Sequence, residues 1–133
     1  MTNRDVSNLG ELEMAVLQHV WDLGPTDVKA AHQAIGIDRG ITHNTVQSTF
    51  KRLWEKGLLR RMKQGHAFIY GELVNKRELT ELMVASLVDQ ITGSEFSVAL
   101  EAFVNLAEQA GDDKLDALES LIANRRAAQE SDK

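Results

Sequence analysis

The chain contains no cysteine, which excludes a disulfide framework and a thiolate metal site and fits a reducing compartment. It has no apolar run near the ~18–20 residues that a bilayer-crossing helix needs. Its start, MTNRDVSNLGELE, lacks the basic-then-apolar form of a signal peptide. A cytoplasmic protein is expected. Also absent are G-x-S-x-G, G-x-G-x-x-G, a phosphate-binding loop and H-E-x-x-H, the arrangements that hold nucleophilic serines, dinucleotides, nucleotide phosphates and catalytic zinc. The Ser and His residues suggest no shared pocket by position, so an enzyme is not expected. His19, His32, His43 and His66 form neither an i,i+4 His pair nor a compact set with acids. No metal site and no cofactor are read from them.

What is present is a chain of 133 residues, 43% hydrophobic and 26% charged, the composition of a folded soluble protein. The net charge of −5 conceals a sharp division. Residues 39–66 hold seven Lys/Arg (Arg39, Lys51, Arg52, Lys56, Arg60, Arg61 and Lys63) against the single acid Glu55, a local charge of +6. Residues 1–38 sum to −4 and residues 67–133 to −7. A solvated surface mixes its signs, so an island of one sign points to an anionic partner.

Apolar residues at Leu9, Leu12, Val16, Val20 and Leu23, flanked by Met14, Leu17 and Trp21, have helical spacing. Gly24 suits the end of that helix, and Thr26 or Asp27 can cap the next, over about 27–35. After the loop GIDRG, Thr42 offers a cap to a third helix ending near Gly57. Val46, Phe50, Leu53 and Gly57 fall on one side of it, with Thr49 and Trp54 at the margins. His43, Asn44, Gln47, Ser48 and Lys51 fall on the other. Amides and hydroxyls at such positions are the groups that hydrogen-bond base edges.

Leu58–Met62 and Ala67–Glu72 read as short strands, with Phe68 and Tyr70 on one face, joined through KQGH, where Gly65 suits a hairpin turn. Two helices, a longer third and a basic hairpin follow the order of a winged helix-turn-helix, with the third helix in the major groove and the hairpin tip alongside. Lys63, Gln64 and His66 are expected at that tip, with Arg60 and Arg61 on the entering strand. Three amphipathic segments follow, at about 75–91, 94–109 and 112–126. Their apolar sets are Leu79, Leu82, Met83, Leu87 and Ile91, then Phe96, Leu100, Phe103 and Leu106, then Leu115, Leu118 and Ile122. Three such helices bury their faces poorly alone. A second copy of the chain is the expected cover, and a two-fold dimer would mirror a palindromic operator on double-stranded DNA.

The stretches LGELEMAVLQHVW, ITHNTVQSTFKRLWEKGLLRR and GHAFIYGEL resemble the BlaI/MecI family of penicillinase and methicillin-resistance repressors over about residues 9–110. The resemblance implies a homodimeric winged-helix repressor with a helical dimerisation domain, binding inverted repeats of a TACA/TGTA type. By position, Thr42, Asn44, Thr45, Gln47, Ser48, Lys51 and Arg52 match the family's recognition-helix contacts, and the wing maps to Lys63–His66. His43-Asn44 stands where the family often has Pro-Lys. The resemblance also implies a sensor or protease that relieves repression by cutting an Asn–Phe bond, but the aligned pair is Ala102–Phe103. Copper-responsive relatives carry a cysteine cluster that this chain lacks.

The expected architecture is therefore mainly α with a small β-hairpin. A winged helix-turn-helix DNA-binding domain occupies residues 1–73, a helical dimerisation domain 74–127, and a frayed tail 128–133. An alternative is a winged-helix module that binds a protein rather than DNA. The basic face and Gln47/Ser48 discriminate against it, because such an interface would expose aromatic or aliphatic side chains.

Overall fold

The computed structural model describes residue 6 and residues 9–91 and 96–132. The elements run α1 (Glu11–Leu23), α2 (Val28–Ala31) continued by a π-helical turn (His32–Gly36), α3 (His43–Glu55), β1 (Leu59–Gln64) and β2 (Ala67–Glu72). Then come α4 (Lys76–Ile91), α5 (Phe96–Ala110) and α6 (Asp112–Ser131). The chain divides into two compact units, residues 1–87 and 88–133.

In the first unit the apolar stripes of α1 and α3 meet. Val16, Leu17 and Val20 from α1 and Val46, Phe50 and Leu53 from α3 are at most 2% exposed, as are Leu58, Leu59, Tyr70, Val74 and Leu79. Each large side chain removed from water in this way stabilises by about 1.5–3 kcal/mol, so the buried face of α3 alone anchors the helix firmly. At the start of α1, the Gly10 N–H donates to Glu13 Oε1 at 3.4 Å, while Glu13 Oε2 accepts from Lys56 Nζ at 2.8 Å. Asp27 caps α2, accepting from the Ala30 N–H at 2.8 Å. Thr26 instead exchanges two backbone hydrogen bonds with Tyr70, at 2.9 and 2.8 Å, and so adds a one-residue third strand to the antiparallel hairpin.

The second helix is shorter than the expected span of 27–35. The Ile37 N–H reaches back to the His32 carbonyl at 3.0 Å, the wider i→i+5 ring of a π turn. His32 Nε2 lies 2.8 Å from the Ile41 carbonyl, just before α3. A side chain at Gly36 would have no room there, because its Cβ would fall 2.6 Å from His32 Cδ2 and 3.1 Å from Val46 Cγ2.

Three expectations about the C-terminal half need correction. Leu79, assigned to dimerisation, is 1% exposed in the core of the first unit, and Leu82 packs against the same core. The start of α4 therefore completes the first unit, and the division falls at 87/88 rather than 73/74. Residues 128–131, expected to fray, continue α6 to Ser131, since the stretch holds neither Gly nor Pro to stop it. The expected start of the fifth helix at 94 lies outside the described residues.

In the second unit α5 and α6 pack against each other, with Leu115 and Leu118 half-buried. Neither helix contains a buried residue. Phe96, Leu100, Phe103, Leu106, Leu121 and Ile122 stay exposed, and Ala102–Phe103 lies inside α5. Among the described residues, no helix is long and apolar enough to cross a membrane.

Candidate nucleic-acid interface

Thr42 caps α3 with its own side chain, Oγ1 accepting from the Thr45 N–H at 3.2 Å. Thr42 and the residues expected on the outer face, His43, Asn44, Thr45, Gln47, Ser48, Lys51 and Arg52, are all exposed. Val46, Thr49, Phe50 and Leu53, on the opposite face, are buried. Helical periodicity puts Asn44, Gln47, Ser48 and Lys51 on one stripe, which carries amides, a hydroxyl and a cation but no carboxylate. Within it the Ser48 hydroxyl donates to the Asn44 carbonyl at 3.0 Å. Buried Thr49 donates to the Thr45 carbonyl at 2.8 Å and accepts from Arg52 Nη2 at 3.2 Å. Arg52 is thereby drawn back along the helix from the stripe.

The wing turns through Gly65 and His66, with Gln64 paired to Ala67. Gly65 has φ 65, the left-handed conformation that a two-residue hairpin requires and that other residues rarely adopt. Lys63, expected at the tip, lies one pair inside it opposite Phe68. The alternation of a strand puts Arg61 and Lys63 on the face shared with Tyr70 and Phe68, and Arg60 on the other. Arg60 crosses Gly71, where an added Cβ would meet Cζ at 2.8 Å, and its Nε donates to the Glu72 carbonyl at 3.2 Å. Arg60 thus sits at the base of the wing, away from its tip. Arg61 lies over two rings, its Cζ 3.5 Å from the Trp54 centroid and 4.0 Å from that of Phe68.

Between α2, α3 and the wing runs a groove of ≈ 380 Å³. His43 and Gln47 from α3, His66, Phe68 and Tyr70 from the hairpin, and Asp27 and Lys29 from the start of α2 line it. Lys29 was missed in the sequence because it lies in the acidic first segment, where the local charge sum hides a single lysine. Lys56 was counted with the basic island but is held by Glu13, with side chains only 19% and 11% exposed. The island is real at the helix stripe and at Lys63, and weaker at its two ends.

Three helices closed by a basic hairpin, with an exposed polar stripe on the third, define a winged helix-turn-helix protein. The chain belongs to the penicillinase repressor family, whose sequence model matches residues 9–124. It is 32% identical over 124 residues to the transcriptional regulator BlaI of Mycobacterium tuberculosis, a match covering 92% of this chain and 88% of that protein. It is 26% identical over 118 residues to an uncharacterised 16.5 kDa protein of Latilactobacillus sakei, covering 89% of this chain and 81% of that one. The solution structure of the DNA-binding domain of the repressor BlaI superposes with a TM-score of 0.51 at 19% identity. It covers 56% of this chain and 92% of that domain, and this likeness shows the fold.

Proposed function

We propose that the protein is a cytoplasmic DNA-binding transcriptional repressor that acts as a homodimer on an inverted-repeat operator. One observation carries the reading. All eight outer residues of the α3 segment are exposed, while the opposite face of that helix is fully buried. In this reading α3 enters the major groove. Asn44 and Gln47 meet base edges, because a side-chain amide pairs bidentately with adenine. Lys51, Lys63 and Lys29 neutralise phosphates, and His43 and His66 face the backbone across the groove between helix and wing. An occupied operator excludes polymerase.

The exposed apolar residues of α5 and α6 support the dimer. A helical pair with no buried residue of its own is a poor free-standing unit, and a second copy would cover Phe96, Leu100, Phe103 and Leu106 together. A sensor or protease that lifts repression would act somewhere other than an Asn–Phe bond, since the aligned pair is Ala102–Phe103.

Selection of bound sequences from random DNA with the purified protein tests this reading. Enrichment of an inverted repeat supports it, whereas recovery of unenriched DNA refutes it. If the dimer makes ~6–10 phosphate contacts, affinity falls on the order of 10³–10⁵-fold between about 50 and 200 mM salt.

A further inference from the structure

The outer half of the wing has little beneath it. Residues 62–68 are exposed, and the core contact of β2 is made further in, where the Tyr70 ring meets Phe50 at a centroid distance of 4.8 Å. One cation spans the step between core and tip. Arg61 leaves β1 opposite Tyr70. Its guanidinium lies 3.5 Å from the ring centroid of Trp54, in the last turn of α3, and 4.0 Å from that of Phe68 on β2. The two rings are 37% and 39% exposed, and Arg61 is half-buried. A cation over an aromatic face is attracted by the ring quadrupole, most strongly for Trp, and a planar guanidinium stacks where an ammonium does not.

We infer that Arg61 is a positioning residue: its guanidinium, held against Trp54 and Phe68, fixes the wing relative to the recognition helix and acts on DNA through that geometry, not by touching phosphate. The inference rests on the reading of α3 and the wing as the DNA-binding surface. It gives a role to Trp54 and Phe68, two exposed aromatic residues that a polar DNA interface does not otherwise need. It also removes one positive charge from the phosphate contacts expected of the basic island. Without the clamp, the wing samples orientations that do not match a groove. Apparent affinity then falls by the fraction of molecules left in the competent one. That loss is bounded by the strength of the clamp, roughly three- to tenfold.

The test compares wild type, Arg61→Met, Trp54→Leu and the double variant on the selected operator across a salt series. Phe68→Leu is the second ring variant should Trp54→Leu fail to fold. Each single variant is expected to lose roughly three- to tenfold in affinity, with the double no weaker than the weaker single and the salt slope unchanged. A slope lowered by about 0.9 in Arg61→Met, with Trp54→Leu binding like wild type, would make Arg61 a direct phosphate contact and overturn the inference. Side-chain NMR of the free protein gives a readout that does not depend on DNA. The Arg61 Hδ and Hε resonances are expected to show ring-current shifts that collapse in Trp54→Leu. Unshifted resonances overturn the clamp even if the protein binds DNA, whereas shifted resonances in a protein that binds no DNA overturn only the proposed function.

Discussion

Lys56 Nζ, just past the end of α3, lies 2.8 Å from Glu13 Oε2 in the first turn of α1. The pair joins two helices 43 residues apart in sequence and takes one cation out of the apparent DNA-binding charge. Glu13 also closes back on the Gly10 N–H, so a single carboxylate both starts α1 and holds the far end of α3.

Removing either partner leaves a largely buried charge without its hydrogen bond. Lys56→Met and Glu13→Gln are each expected to cost about 1.5–3 kcal/mol in urea denaturation. The salt slope of Lys56→Met on DNA should match wild type. A slope reduced by a full contact would show that Lys56 reaches phosphate after all.

Gln47 stands on the exposed stripe and lines the groove beside the wing. Gln47→Ala should lose ~1–3 kcal/mol on the selected operator and loosen preference at one base pair. Competition binding with operators altered at each position reads this directly. A loss that is equal on every sequence would make Gln47 a backbone contact instead.

Lys63 projects from the tip half of β1 and pairs with Phe68. Lys63→Ala should weaken binding to all DNA alike and reduce the salt slope by about 0.9. Arg60→Ala should change the slope little, because its guanidinium is bound to the Glu72 carbonyl at the wing's base. A full-contact drop for Arg60, measured by fluorescence anisotropy, would restore it to the interface.

Gly36 faces the His32 ring and Val46. Overpacking costs typically ~1–3 kcal/mol, more than the ~0.5–1 kcal/mol that alanine gains over glycine in a helical turn. Gly36→Ala is therefore expected to be net destabilising in thermal melts. It should also disturb the Ile41 carbonyl contact that leads into α3. An unchanged melting temperature would mean that His32 moves aside at no cost.

Phe103 is 39% exposed on α5. In sedimentation at micromolar concentration the wild type is expected at twice the 14.8 kDa of one chain, and Phe103→Asp is expected to shift it toward the single-chain mass. A wild type that runs as one chain would remove the dimer from the proposal.

Much of the first unit was legible in the sequence because its signals are periodic. The 3–4 residue steps of Val46, Phe50 and Leu53 placed α3 within two residues of its observed bounds at either end, and the alternation of Phe68 and Tyr70 placed β2. Three features left no periodic trace. The Thr26–Tyr70 pairing is made by two backbones, so no side-chain pattern announces it. The π turn at 32–36 arises from where His32 and Gly36 meet Val46 across the fold. The fates of Lys56, Arg60 and Arg61 depend on partners brought near by folding, and charge summed along the chain treats all three as free. Leu79 reads as one member of an amphipathic stripe, and only the tertiary core shows that it seats α4 on the first unit.

The Trp21 indole N–H donates to the Val74 carbonyl at 2.9 Å, one residue before Asn75, whose side chain accepts from the Glu78 N–H at 2.7 Å at the start of α4. The place where the polypeptide leaves the hairpin is thus pinned from behind by a residue with no part in meeting DNA. A phenylalanine at position 21 would occupy much of the same space but could not donate, so the exit point would lose its fastening while the interior stayed filled. Such a variant should keep most of its thermal resistance and give up its fixed line of departure, parting durability from aim through one nitrogen atom.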